Sequence, residues 1–413
     1  MPGGEEQVYR ETFAGCTHVK PVGRLVIDLD LPPELRWEHL RTCGVVKVDE
    51  LVCSARLYVD ETCLGLGLPP LANGTSLCLR WCRGFLFWVL GRLCAWTHPY
   101  SADLRAVAQV YRIPLGELYI ANLLYELLGG CTSFVCVDGA SGKLLHGRTL
   151  DWPFIPLGKH TIQMEWVSGG QTLFQSVGWP GYVGVMTAVK PGKFSISLNA
   201  RYPSVEAAWW AKWLVAKDGE GAVMASLLTS ASCRLYSGLL GGGFQAASLI
   251  RKTLERADSF DEACTMLHDM PIAVPSYFVV VSTGPDAAII TRGVGTGDRR
   301  VDRIGGGEGG RPAFLVQTND DHPQQGAKVG MQSGAPVDFF STTRYNLACD
   351  MLLATPPDAL SRPLLGRLMT KSVKQGGVRM AMTLFMAVLS PAEEDQDRCL
   401  VACKASRAVG PRG

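Results

Sequence analysis

No stretch of this 413-residue sequence reaches the 18 or so uninterrupted apolar residues of a membrane-spanning helix. There is little net charge either. The 40 basic and 38 acidic residues leave a formal +2, without the basic stripe that a nucleic-acid partner favours. The 14 cysteines include no CxxC pair and no regular framework, which disfavours a zinc site and leaves most of them to be read as reduced core residues. The opening MPGGEEQVYRETF has two glutamates where a secretory signal carries its basic region and apolar run, so cytoplasmic residence is expected. The glycine-rich RIGGGEGGRP, 303–312, lacks the GK[ST] of a phosphate loop, and no nucleotide, cofactor or metal is expected. The sequon Asn73-Gly74-Thr75 is read as a chance match.

What is present is apolar. Hydrophobic residues make up 47% and charged residues 19%, enough for a large core in one α/β body or two to three domains. RLVIDL, 24–29, alternates as a short strand, and PPELRW then opens a helix with proline near its start. To about residue 128 the pattern is mainly helical. The piece 76–100 is apolar and aromatic but interrupted by arginines at 80, 83 and 92, which suits a helix lying on a membrane surface or covering a sheet. From residue 131 short alternating runs separated by glycine turns predict an antiparallel meander: TSFVCV, KLLHGRTL, HTIQMEWV, TLFQSVGW, YVGVMTAV and KFSISLN. Helical periodicity returns over about 204–268. Strands SYFVVVS, AAIITR and AFLVQTN follow, then helices from about 341 and near 358–371, and a late strand MAMTLFMAVL. This order predicts an α+β fold of two sheets with helices packed outside them.

The stretch GGCTSFVCVDGASGKLLHGRTLDW, 129–152, carries the chemistry. If TSFVCV and KLLHGRTL form a hairpin turning at Asp138–Gly142, pairing Val137 with Leu144 sets Ser133 opposite Arg148 and Cys131 opposite Leu150. Asp151 then falls just past the strand end, beside the cysteine. A thiol near its usual pKa of about 8.5 needs a base or a cation to become nucleophilic. Cleavage of the Gly130–Cys131 bond would place an α-amine, a base of pKa near 8, on the nucleophile's own residue. Asp151 could orient that amine, and Arg148 could orient the aspartate or bind a substrate carbonyl. His146 and His322 offer a rival, a cysteine–histidine pair. His146 falls four residues along the same face and reads as an exposed or packing histidine, while His322 reads as a residue of the entrance. Arg344 sits near a helix start, where a cation opposes the dipole, so an acidic group or a substrate carbonyl must compensate.

The run CTSFVC…HGRTLDWPF resembles the start of the catalytic chain in the acid ceramidase and N-acylethanolamine acid amidase family, choloylglycine-hydrolase-like N-terminal nucleophile hydrolases. IDLDLPPELRW (27–37), GELYIANLLYELLGGC (116–131), KFSISLNAR (193–201), FLVQTNDDH (314–322) and STTRYN (341–346) extend the resemblance over most of the chain. It implies a four-layer αββα sandwich with an N-terminal mainly helical segment. Residues 1–130 would form a small subunit, and 131–413 a catalytic subunit released before Cys131 and remaining associated with it. It implies Cys131 as nucleophile and, through its amine, as general base, with Arg148 and Asp151 as the active-site arginine and aspartate. Asn319 would meet the developing oxyanion, and Arg344 would be a second arginine near it. The implied substrate is a long-chain lipid amide, ceramide or N-acylethanolamine, handled at a membrane surface through 76–100. Bile-salt or penicillin-type amides are the alternative among enzymes; an unprocessed, catalytically silent lipid-binding relative is the alternative to an enzyme. The sequence departs from the family pattern at Ala200, where glutamate is common, and at Gly130, where a bulkier apolar residue is common. The family is lysosomal, whereas this N-terminus reads as cytoplasmic.

Overall fold

The alternating runs after residue 131 do form strands, but they divide between two sheets. The computed structural model describes residues 3–16, 19–65, 84–85, 88–89, 98–152, 154–201, 243–294, 298–304, 314–322 and 341–405. The strands are β1 (Val19–Pro21), β2 (Gly23–Asp28), β3 (Gly130–Val137), β4 (Leu144–Asp151), β5 (Ile162–Ser168), β6 (Gln171–Gly178) and β7 (Thr187–Lys190). They continue with β8 (Phe194–Ala200), β9 (Ser276–Ser282), β10 (Ala287–Arg292), β11 (Arg299–Arg303), β12 (Leu315–Gln317), β13 (Thr383–Leu389) and β14 (Leu400–Ala405). The first sheet runs β1-β14-β13-β4-β3-β12 and the second β11-β10-β9-β8-β7-β6-β5-β2. The meander expected after residue 131 is thus broken. Its first hairpin, β3–β4, lies in one sheet, and β5 to β8 lie in the other. Short-range alternation specifies strands and hairpins but not which sheet each hairpin joins.

The sheets face one another, with β3 against β8 and β10 against β12. Helices Ser341–Ala354 and Arg362–Thr370 pack on the outside of the first sheet, and Ala246–Arg256 and Phe260–Asp269 on the outside of the second. Side chains of β3 alternate accordingly. Phe134 and Cys136 join Tyr345, Leu365 and Leu368 under the outer helices, while Val135 meets Tyr277, Val279 and Val281 across the inter-sheet core. Gly147 of the HGR triplet faces Phe134; a Cβ there would stand 2.1 Å from the ring.

Residues before 131 contribute more than helices. β1 pairs antiparallel with β14 at one edge of the first sheet, and β2 pairs parallel with β5 at one edge of the second. The helix opened by PPELRW lasts one turn, Pro33–Arg36. Arg36 folds back onto the carbonyls of Asp28, Leu29 and Leu31 and onto Asp103. Asp103, buried in helix Ser101–Tyr111, also accepts from Trp37 Nε1 and from Arg251 of helix Ala246–Arg256. Arg251 lies over the rings of Tyr100 and Trp166. The proposed surface segment 76–100 falls almost wholly outside the described residues, as does the 204–242 part of the helical expectation for 204–268. Among the described residues no helix is long and apolar enough to cross a membrane.

Candidate active site

Helix Leu115–Leu128 runs directly into β3, so Cys131 is the second residue of a fully paired strand. The hairpin register matches the one counted from the sequence: Val137 opposite Leu144, Ser133 opposite Arg148 and Cys131 opposite Leu150. Asp151 is not beyond the strand but is its last paired residue, opposite Gly130. On the other side of β3, Gln317 of β12 pairs with Ser133. Continuing that register by two residues brings Asn319 level with Cys131.

The backbone of Cys131 is gripped on both sides of its Cα. Its N–H donates to Asn319 Oδ1 at 2.9 Å. Its carbonyl accepts from Arg344 Nη1 at 2.6 Å. Arg344 Nη2 closes the circuit by donating to the same Asn319 Oδ1 at 2.9 Å, and Nη1 also reaches Thr132 Oγ1 at 2.6 Å. Asn319 Nδ2 donates to Ala200 O at 2.9 Å and Gly129 O at 3.4 Å, so in the uncleaved chain its amide is directed at the carbonyls around the Gly130 junction. The backbone N–H of Asn319 donates to Ser341 Oγ, whose hydroxyl donates to Thr318 Oγ1. Cys131, Arg148, Asp151, Asn319 and Arg344 are all buried.

Arg148 and Asp151 form no ion pair with each other among the described residues; the arginine reaches the aspartate only through space, where its charge helps to lower the carboxyl pKa. Residues three apart in a strand project from opposite faces. Arg148 points between the sheets, where Nη1 donates to Asn199 Oδ1 at 2.7 Å and Ser133 Oγ at 3.4 Å. Asp151 points toward the outer helices and accepts from the hydroxyls of Thr383 and Thr149. Among the described residues, its ion-pair partner is Arg344, at 3.4 Å. This is the acidic compensation that an arginine in the first turn of helix Ser341–Ala354 requires. Burial pushes the Asp151 carboxyl above its ordinary pKa, although Arg344 and Thr383 both pull it down.

Neither histidine pairs with the cysteine. His146 is buried opposite Val135, four residues or roughly 13 Å along the strand from Cys131. It hydrogen-bonds to Ser195 Oγ and Ser197 Oγ as a packing histidine rather than an exposed one, and burial lowers its pKa to about 3. His322 is buried against the ring of Tyr345, not at an entrance, with Nε2 2.9 Å from Thr318 Oγ1 and a pKa lowered to about 3 by burial.

Sequence reasoning quoted SLNAR but missed Asn199. Its amide donates to the carbonyls of Gln317 and Thr318 while its oxygen receives Arg148 and Ser133. The signal was available: asparagine is a poor strand former and sits here in an otherwise regular strand. An apolar pocket lies between helices Val48–Gly65 and Leu115–Leu128 and the turn Trp179–Tyr182. Trp152, next to Asp151, forms part of its wall, and Cys131 belongs to the same hydrophobic cluster as Leu118, Trp152 and Trp179.

No family model matches the chain. Individual relatives do. The sequence is 27% identical over 311 residues to acid ceramidase of Bos taurus, spanning 71% of this chain and 69% of that protein. It is 31% identical over 229 residues to the N-acylethanolamine-hydrolyzing acid amidase of Rattus norvegicus, 54% of each chain. Among solved structures, the Caenorhabditis elegans N-acylethanolamine-hydrolyzing acid amidase ortholog aligns with a TM-score of 0.49 and 21% identity, over 65% of this chain and 96% of that one.

Proposed function

For a chain that belongs to the acid ceramidase and N-acylethanolamine acid amidase family, we propose an autoprocessing cysteine amidase acting on long-chain N-acyl lipids, with ceramide as the first candidate and N-acylethanolamine the second. The two facing sheets with helices outside are, in this reading, an αββα N-terminal nucleophile sandwich whose nucleophile is Cys131. The observation that carries the proposal is the double grip on the backbone of Cys131, with Asn319 on its nitrogen and Arg344 on its carbonyl.

In the first step Cys131 Sγ adds to the Gly130 carbonyl carbon. The Gly130–Cys131 C–N bond breaks as the nitrogen takes up the thiol proton, leaving a thioester. Water hydrolyses that ester to a Gly130 carboxylate and restores the thiol. The new α-amine, held where the Cys131 N–H now meets Asn319, then serves as base. It takes the thiol proton as sulfur attacks the lipid amide and passes it to the departing amine nitrogen; a second water hydrolyses the acyl thioester to free acid. Loss of the Gly129 contact frees Asn319 Nδ2 to face the oxyanion, an interaction worth roughly 3–4 kcal/mol in comparable enzymes. The apolar lining of the pocket beside Trp152 matches the chemistry of an acyl chain. Edge strands β1 and β2 and the Arg36–Asp103–Arg251 cluster would keep the two pieces together.

A denaturing gel tests the reading. Purified chain yields pieces of roughly 130 and 280 residues, counted from the position of Cys131, and Cys131→Ala stays whole. A chain that stays whole with Cys131 in place would instead make it a silent lipid-binding relative. Mass spectrometry of products from a panel of ceramides and N-acylethanolamines then assigns the substrate.

A further inference from the structure

Asn319 lies just beyond the short strand β12, where the ladder has ended, yet its side chain must stay on the nitrogen of Cys131. We propose that Arg201 and Asp321 form a positioning pair that clamps the Asn319 turn, in one sheet, to the end of β8, in the other.

Arg201 Nε and Nη2 meet the two carboxylate oxygens of Asp321 at 2.8 and 2.7 Å, a two-point fork that fixes orientation as well as distance. Tyr277 Oη donates to Asp321 Oδ1 at 2.6 Å from the neighbouring strand β9. The guanidinium is buried and also pairs with Asp298. Arg201 directly follows Ala200, the residue whose carbonyl receives Asn319 Nδ2, and Asp321 lies two residues after Asn319. The amide bond and the fork therefore close a small ring across the gap between the sheets. No backbone ladder joins β8 to β12; side chains alone set their spacing here. Arg300 adds one more tie, from Nη2 to the His322 carbonyl. Neither Arg201 nor Asp321 touches Cys131 in these contacts, so both act through Asn319.

The inference rests on the amidase reading, and the experiment separates the two. Full-length chain is compared with Arg201→Met, Arg201→Lys and Asp321→Asn. Measurements are the rate of cleavage before Cys131, then kcat and KM on a fluorogenic N-palmitoyl amide per titrated thiol, with melting temperature alongside. Arg201→Met and Asp321→Asn are expected to lose about 100-fold in cleavage rate and in kcat, the scale of a small misplacement near the chemistry, with KM unchanged. Arg201→Lys keeps the charge but not the fork and is expected to fall in between. If Arg201→Met does not fold, the half-exposed Asp321 decides the matter through Asp321→Asn. Variants that match the unmodified chain in kcat, or that lose activity only in step with folded protein, overturn the clamp and leave the amidase reading intact. An unmodified chain that neither cleaves nor hydrolyses overturns both.

Discussion

Replacing Arg344 with methionine is the most informative single perturbation of this site. The side chain is fully buried, pairs with Asp151 at 3.4 Å and donates to Cys131 O, Thr132 Oγ1 and Asn319 Oδ1. Methionine fills much of the volume but leaves Asp151 as a buried carboxylate without its cation. Removing one partner of such a pair costs about 3–5 kcal/mol. The cost depends on pH, and its sign follows from the carboxyl. In the native protein burial already holds the Asp151 pKa above the unfolded value. That part of its contribution is present below the unfolded pKa and is lost as pH rises through the folded one. Arginine lowers this pKa, so its removal raises it further. Below both folded values Asp151 is protonated in either protein, and the variant loses only the guanidinium's charge-assisted hydrogen bonds to Cys131, Thr132 and Asn319, about 1.5–3 kcal/mol each. Between the two values the deficit grows with pH by about 1.4 kcal/mol per unit. Urea unfolding from pH 4 to 8, with both chains also carrying Cys131→Ala to prevent cleavage, measures the difference. Groups common to both chains cancel. A deficit that does not grow with pH, or that Asp151→Asn fails to relieve near neutrality, refutes the buried pair as described here.

Other outcomes follow from particular contacts. Gly147→Ala drives a methyl into the Phe134 ring and should cost about 1–3 kcal/mol by overpacking, read as a lowered unfolding midpoint. Asp103→Ala removes the acceptor shared by Arg36, Trp37 and Arg251, although Arg251 keeps Glu255 at 2.8 Å, and should cost about 1–3 kcal/mol; in mild urea, gel filtration of cleaved protein should show the pieces separating earlier than in the parent. His146 and His322 have pKa values near 3 and His98 near 4, all lowered by burial. Each contributes stability that is complete above the unfolded value of about 6.5 and is lost as pH falls, by about 1.4 kcal/mol per unit for each histidine. The fold should therefore weaken steeply between pH 6 and 4, and replacing His146 by glutamine should flatten that slope in acid unfolding curves.

The sequence by itself determined the register of the β3–β4 hairpin, though not its last paired residue. Its glycine turn at Asp138–Gly142 sets the pairing, and Ser133 stands opposite Arg148 as counted. It likewise determined β9 and β10, whose apolar runs have sharp turn boundaries, and the position of Arg344 in a first helical turn. Propensity could not determine which sheet a hairpin enters, and so the two expected sheets are present but the strands from 131 to 200, expected as one meander, divide between them. Short edge strands such as β1 and β11 were invisible for a related reason: their few residues gain stability only from a partner distant in sequence.

At the site, only tertiary structure decided who pairs with whom. Arg148 and Asp151 share one strand, and the pleat sends them to opposite faces. One is taken by Asn199 from the second sheet and the other by Arg344 from an outer helix. Local sequence specifies which chemical groups are present and the face each one takes. The partner that neutralises a buried charge comes from wherever the fold brings one within hydrogen-bond reach, because in a low-dielectric interior such a group cannot be left alone.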